Sequence, residues 1–198
     1  MSVLVTYATS LGSTKEIAER IAQRLAPLVR PAAVDCLEVS AVPPLADTGS
    51  SGDSNYAAIV VGSAIHAGRW LPPARAFLQR NRRVLVSSPS APPVWAFSVG
   101  MPADEEARAA EEASVNRALR EQFLPPESSP GSPGGALRGH RLFRGRFERA
   151  DAPWWMGLFL CCIPRKAQLW GDMRDWEEIE AWADWVGGEM REAGVGRV

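Results

Sequence analysis

Short apolar runs alternate along the chain with segments that carry apolar residues at helical spacing. The run from Ala57 to Gly62 contains no polar residue, which is typical of a strand buried on both faces of a parallel sheet. Near the end of the chain, Trp176, Ile179 and Trp182 recur at helical spacing, which favours a helix. The pattern predicts five strands at about 3–7, 33–39, 57–62, 93–99 and 137–147, and four helices at about 13–28, 72–81, 104–122 and 175–192.

Strands and helices alternate in this order, so the sequence predicts a single α/β domain over residues 1–198. Chains of this type form a three-layer, doubly wound sheet in which all or most strands are parallel. Two stretches rich in Pro, Gly and Ser interrupt the alternation, at 42–54 and 125–135. We expect a loop in the first and a mobile loop in the second. A ligand of such a sheet binds beyond the carboxyl ends of the strands.

Charge and composition limit the kinds of protein to which this chain of 198 residues can belong. Its formal net charge is −1, which provides no bulk attraction to nucleic acid. No apolar run reaches the length of a membrane span, and no signal-peptide pattern is present. The cysteines Cys36, Cys161 and Cys162 form neither a paired framework nor a metal-ligand spacing, and the adjacent pair is expected as buried thiols. We therefore expect a cytoplasmic protein without a metal site.

The segment between the first strand and the first helix is rich in hydroxyl groups. Thr9, Ser10, Ser13 and Thr14 stand within six residues, and Gly12 allows a phosphate to approach the backbone closely. The free N–H groups and the positive dipole end of the following helix face this loop, which makes it a phosphate cradle. An ordinary turn with one Ser or Thr as the helix N-cap is the alternative, but one cap needs only one hydroxyl.

Two familiar phosphate motifs are missing from this loop. It has no P-loop lysine for a nucleotide triphosphate and no dinucleotide fingerprint of three glycines. A cradle of hydroxyl groups without a cation suits a monophosphate that is bound by neutral hydrogen bonds.

This part of the chain resembles the phosphate-binding signature of the flavodoxin family. The residues that match are Val5, Tyr7, Ala8, Thr9, Gly12, Thr14, Ala18 and Ile21, and only Thr6 departs from the apolar pattern. The resemblance implies strand order 2-1-3-4-5, FMN as the cofactor, and a phosphate site at Thr9, Ser10, Leu11, Gly12, Ser13 and Thr14.

The resemblance also implies a role for the loops that follow the third and fourth strands. In flavodoxin-like proteins these loops flank the isoalloxazine ring. Carried over by position, the ring site comprises Ala64, Ile65, His66, Ala67, Gly68, Trp70, Ser98, Val99 and Gly100. Trp70, His66 or Ile65 would pack against a face of the ring. The alternative is that Trp70 caps the next helix and His66 is a solvated loop residue.

A narrower resemblance is to the menaquinone-dependent protoporphyrinogen oxidase family. The run from Val60 to Gly68 resembles the corresponding loop of that family. A family-type insertion near 139–174, followed by Asp175, Trp176 and Glu177, resembles its late segment. The loop at 125–135 and the prolines near 89–93 depart from the family pattern, which leaves the substrate open.

The late segment joins a basic run to an apolar one. Six basic residues are followed by the apolar stretch 153–163; they are Arg138, His140, Arg141, Arg144, Arg146 and Arg149. This combination suits a flat, acidic porphyrin, and it equally suits peripheral contact of 138–163 with the inner face of a membrane. The third interpretation is a core helix at 154–163 beside an exposed strand edge.

Three functions are compatible with these observations. The first is an FMN-dependent oxidoreductase similar to protoporphyrinogen oxidase, which takes electrons from a porphyrinogen and passes them to a quinone. Here the flavin would carry the chemistry, so no acid–base residue is assigned. The second is a flavodoxin-type electron carrier for redox partner proteins, although such carriers are strongly acidic around the flavin. The third is a scaffold that has lost its flavin, which the intact hydroxyl cradle disfavours.

Overall fold

Five parallel strands form a central sheet with helices on both faces. The computed structural model describes residues 2–45, 56–87, 91–123, 137–148 and 171–195. The strands are β1 (Ser2–Ala8), β2 (Ala33–Glu38), β3 (Tyr56–His66), β4 (Arg69–Trp70), β5 (Val94–Gly100), β6 (Leu137–Arg144), β7 (Arg146–Phe147) and β8 (Gly171–Asp172). The helices are α1 (Ser13–Leu25), α2 (Pro72–Arg80), α3 (Glu105–Phe123) and α4 (Trp176–Glu192).

The sheet order is β2-β1-β3-β5-β6, and all four pairings are parallel. Counted over these five strands, the predicted order 2-1-3-4-5 is confirmed. The short strand β4, which the sequence did not predict, pairs antiparallel with the end of β3. A π-helical turn, Arg83–Ser87, also lies outside the prediction.

The predicted fifth strand at 137–147 is wrong at its end. β6 stops at Arg144, and β7 leaves the sheet to pair antiparallel with β8. Gly145 lies between them: its N–H donates to the Gly100 carbonyl at 2.9 Å, and its own carbonyl accepts from the Met173 N–H at 3.1 Å. These two bonds hold the chain at the carboxyl edge of the sheet, where β6 ends.

Residues 46–55, 88–90, 124–136 and 149–170 lie outside the described part of the chain. The predicted loop at 125–135, the apolar stretch 153–163 and the adjacent cysteines fall there, as does most of the predicted loop at 42–54. Within the described ranges, no helix has both the length and the apolar character required to cross a membrane.

Alternating residues of the strands face two separate apolar cores, as a pleated strand requires. On one face, Val5 and Phe97 pack against α1 and α4; on the other, Leu4 and Ile59 pack against α2 and α3. Gly62 is required in the first core, because a Cβ atom there would lie 2.0 Å from the Phe97 ring. The two cores hold the carboxyl ends of β1, β3 and β5 in register.

A partly buried polar contact joins β5 to β6 across the sheet. Ser98 Oγ lies 2.8 Å from His140 Nε2. Burial lowers the pKa of His140 to about 4, so the imidazole is neutral at physiological pH. The basic run of the sequence thus contains one uncharged, half-buried residue.

Candidate cofactor site

A cavity of about 460 Å³ opens at the carboxyl edge of the sheet, where four strands end. This is the position at which doubly wound sheets bind ligands. Its described lining consists of Ser10, Leu11, Ser13, Thr14, Ala64, Ile65, His66, Val99, Gly100, Met101, Gly145, Arg146 and Phe147. The loops after β1, β3, β5 and β6 therefore meet at one site.

The turn between β1 and α1 is closed by its own hydrogen bonds. Gly12 adopts a left-handed conformation, with φ +91°, and its N–H donates to Thr9 Oγ1 at 3.0 Å. The Gly12 carbonyl accepts from the Glu16 N–H at 3.1 Å and begins the helix. Thr9 therefore shapes the loop. A left-handed backbone at this position favours glycine.

No side chain caps α1 in the described structure. By contrast, the Asp175 carboxylate caps α4 by accepting from the Glu178 N–H at 3.0 Å. The first-turn N–H groups of α1 thus retain the capacity to donate to a ligand, and the helix dipole favours an anion there. The alternative interpretation, an ordinary turn with a Ser or Thr N-cap, therefore does not describe this turn.

Thr14 supplies the observation that tests whether a phosphate fits this turn. Its side chain is fully buried and lines the cavity, and its Oγ1 has no hydrogen-bond partner in the described structure. A buried hydroxyl without a partner costs free energy unless a ligand completes it. A phosphate oxygen would accept from this hydroxyl, so the residues present fit the phosphate group of FMN.

The cavity contains a cation that the sequence analysis missed. Arg146 lines the cavity, and its Nη2 lies 3.3 Å from Glu16 Oε1 in the first turn of α1. The hydroxyl-rich loop itself carries no cation, but Arg146 brings one to the same cavity from a distant part of the sequence. The reason is topological, because Arg146 follows Gly145, whose backbone lies directly beside Ser13.

Two other arginines of the basic run pair with helices. Arg141 pairs with Glu178 on α4, and Arg144 Nη2 lies 3.7 Å from Glu105 Oε2 on α3. These pairs connect β6 to its flanking helices. Arg149 lies outside the described residues. Of the described arginines in the run, only Arg146 lines the cavity.

The Glu16 carboxylate, which Arg146 faces, also pairs with a second guanidinium, that of Arg174. Arg174, which is 5% exposed, forms two bonds to Asp172 and pairs with the other oxygen of Glu16. Its guanidinium also lies over the Trp176 ring, 4.6 Å from the ring centroid. The bonds from Arg174 lower the pKa of Asp172, which remains ionised.

The loops predicted to hold the ring also line the cavity. Ala64, Ile65 and His66 end β3 and line the cavity, and so do Val99 and Gly100 from the end of β5. His66 is exposed and Ile65 is half-buried. Both side chains therefore stay candidates for contact with the ring.

The remaining predicted residues do not appear in the described lining. They are Thr9, Gly12, Ala67, Gly68, Trp70 and Ser98. The Trp70 side chain is buried in the core between the sheet and α2, so the structure does not place it as a platform for the ring. Ala67 and Gly68, with φ +50° and +71°, form the tight turn between β3 and β4.

Four lining residues were not predicted: Met101, Gly145, Arg146 and Phe147. Met101 belongs to the loop after β5 that was predicted to flank the ring, but it was not among the residues assigned to the site. The other three carry no local signal, because they reach the site only when β6 is placed next to β5.

Comparison with known families gives one match by sequence. The profile of the family described as Flavodoxin domain matches residues 4–146, which is more than half of the chain. A comparison with curated protein sequences finds no match.

Solved structures share the architecture at low sequence identity. A flavodoxin from the domain Archaea superposes with TM-score 0.50 and 16% identity, covering 96% of this chain and 99% of that one. Oxidised flavodoxin 1 from Bacillus cereus gives TM-score 0.54 and 13% identity, over 97% and 98% of the two chains. The rubredoxin oxygen:oxidoreductase of Desulfovibrio gigas gives 0.50 and 15%, over 96% of this chain and 36% of that one. These likenesses establish the fold.

Proposed function

Since this chain belongs to the flavodoxin domain family, whose cofactor is FMN, we propose that it is an FMN-dependent oxidoreductase that oxidises a porphyrinogen-like substrate and passes the electrons to a quinone. The character of the cavity carries this proposal. Its described lining includes a guanidinium and an imidazole but no carboxylate, and most of the other lining residues are apolar.

Such a lining suits a substrate better than a docking partner. A porphyrinogen is a largely apolar macrocycle, so it would find apolar contacts in this cavity beside the bound ring. An electron carrier that recruits basic partners depends on acidic side chains around the flavin. The described lining of the cavity contains no acidic side chain.

The chain's own residues would bind and orient the cofactor. Thr14, Ser13 and the first-turn N–H groups of α1 would hold the phosphate, while the ends of β3 and β5 would flank the ring. When bound, FMN accepts electrons from the substrate and releases them to the acceptor. Val99, Ile65 and Met101 would exclude water from the ring, and exclusion of water strengthens each polar contact made there.

Turnover with a defined substrate tests the proposal. FMN-loaded protein, supplied with protoporphyrinogen and a menaquinone analogue in the absence of oxygen, should oxidise the substrate with saturable kinetics. Its rate should exceed that of free FMN at the same concentration. Equal rates for the protein and free FMN would contradict the proposal. Fast, saturable reduction by a ferredoxin-type reductase would then support an electron carrier.

A further inference from the structure

Arg146 approaches the first turn of α1 from the far end of the sequence. Its guanidinium lies 3.3 Å from the Glu16 carboxylate and lines the same cavity as Ser13 and Thr14. We propose that Arg146 binds the phosphate of FMN and determines the preference of the site for FMN over riboflavin. This inference depends on the proposed binding of FMN.

The backbone around Arg146 is held firmly in place. Gly145 is bonded to Gly100 on one side and to Met173 on the other, and Arg146 is paired with Asp172 across the β7–β8 ribbon. A Cβ atom on Gly145 would lie 2.9 Å from Val99 Cγ1 and 3.4 Å from Ser13 Oγ. The residue before Arg146 is therefore in close contact with the phosphate turn. A preorganised cation needs little ordering when a ligand binds.

The ion pairs of Arg146 leave it able to bind a second anion. Glu16 is shared, because Arg174 pairs with its Oε2 while Arg146 faces its Oε1. A guanidinium carries five N–H donors in a planar fork, which matches the geometry of a phosphate. Arg146 contacts Glu16 through Nη2 and Glu148 through Nε, the latter at 3.6 Å. These two contacts do not use all five donors. We therefore expect Arg146 to contact a phosphate at the α1 terminus without leaving the site.

Glu16 would then compete with the phosphate for Arg146. It stands one turn from the expected phosphate position and has the same sign of charge. Removing its charge should free the guanidinium and reduce the repulsion. E16Q keeps a polar side chain for Arg174 and should bind FMN more tightly than the natural protein.

A purely structural role for Arg146 makes a different prediction. If the arginine only ties β7 to α1, its loss would loosen the whole site and weaken FMN and riboflavin to the same extent. If it binds the phosphate, its loss would weaken FMN alone, because riboflavin has no phosphate. The ratio of the two dissociation constants therefore distinguishes the roles.

The experiment titrates refolded apoprotein with FMN and with riboflavin and follows the quenching of flavin fluorescence. R146Q should raise the Kd for FMN on the order of 10- to 100-fold, as expected for the loss of a charge-assisted hydrogen bond, and should change the Kd for riboflavin by less than about threefold. R146M, which keeps the apolar stem, should give the same result and serves if R146Q does not fold. R144Q is the matched control, since Arg144 is similarly exposed but pairs with α3.

Four outcomes of these titrations would contradict the proposed role of Arg146. An unchanged Kd for FMN in R146Q, or an equal loss for FMN and riboflavin, would overturn the role of Arg146 and leave FMN binding intact. A natural protein that binds neither flavin would overturn the cofactor assignment together with this role. An R144Q variant that loses FMN as strongly as R146Q would assign the effect to general charge and overturn the specific contact.

Discussion

The indole N–H of Trp70 donates a hydrogen bond to the hydroxyl of Ser98 at 2.7 Å, and both side chains are buried. Ser98 Oγ also lies 2.8 Å from His140 Nε2. Three strands, β4, β5 and β6, are thereby linked by one hydroxyl. This contact holds the Trp70 ring in the core on the α2 and α3 side of the sheet.

Removing the Ser98 hydroxyl should destabilise the protein. S98A leaves the indole N–H and one imidazole nitrogen buried without a partner, which should lower the free energy of unfolding by about 1–3 kcal/mol. Urea denaturation measures the change. S114A, on the exposed surface of α3, is the control and should stay within about 0.5 kcal/mol of the natural protein. Strictly additive effects of W70F and S98A in a double-mutant cycle would contradict the link between them.

Stability should fall in acid because of His140. Burial lowers its folded pKa from the ordinary 6.5 to about 4. Between these pH values the unfolded chain binds a proton that the folded protein does not. This contribution is complete above pH 6.5 and decreases as the pH falls toward 4, by up to about 3 kcal/mol.

The variant H140Q cannot titrate and should lack this dependence. Urea denaturation at several pH values should therefore show the stabilities of H140Q and the natural protein converging as the pH falls from 7 to 4. A constant difference between the two proteins across that range would show that His140 is not the group responsible.

The Thr14 hydroxyl should matter for binding and not for folding. T14V removes a buried hydroxyl that has no partner in the described structure, so the apoprotein should be as stable as before or slightly more stable. Its Kd for FMN should rise on the order of tenfold, because the phosphate loses one donor. Fluorescence titration and thermal unfolding measure the two effects.

Thr6 offers a matched control for this experiment. Its Oγ1 is also buried without a partner, but Thr6 lies in β1 and does not line the cavity. T6V should leave the Kd for FMN unchanged. Equal losses of affinity in T6V and T14V would indicate an effect on the fold, and an unchanged T14V would remove Thr14 from the site.

Two adjacent glycines in α4 should respond oppositely to alanine. A Cβ atom on Gly188 meets nothing within 4 Å, so G188A should stabilise the protein by about 0.5–1 kcal/mol through helix propensity. A Cβ atom on Gly187 would lie 2.7 Å from Leu28 Cδ1 and 3.1 Å from its Cβ, so G187A should lose stability by overpacking. Equal shifts in thermal unfolding would contradict the packing of α4 on the segment after α1.

The features predicted correctly from sequence are those that a local pattern of residues indicates. Within the described residues, the apolar runs and the helical spacing located the five parallel strands and the four helices, and the hydroxyl cluster located the turn before α1. Trp70 was misplaced because its nearness to the loop after β3 says nothing of the direction of its side chain. The partner that decides this direction, Ser98, is 28 residues away.

The cation of the site was missed for the same reason. Arg146 stands among five other basic residues, and nothing local distinguishes it from Arg141 or Arg144. Only the break between β6 and β7 at Gly145, where the backbone is hydrogen-bonded to Gly100 and Met173, brings Arg146 to α1. Contacts between residues so distant in sequence follow from the sheet order, which the apolar pattern does not specify.

The position of the phosphate in a crystal structure of the FMN complex tests the account most directly. We expect the phosphorus to lie beside the first turn of α1, with a phosphate oxygen within hydrogen-bond distance of Thr14 Oγ1 and of backbone N–H groups of that turn. A complex in which the phosphate lies elsewhere, with the Thr14 hydroxyl still unpartnered, would contradict the account.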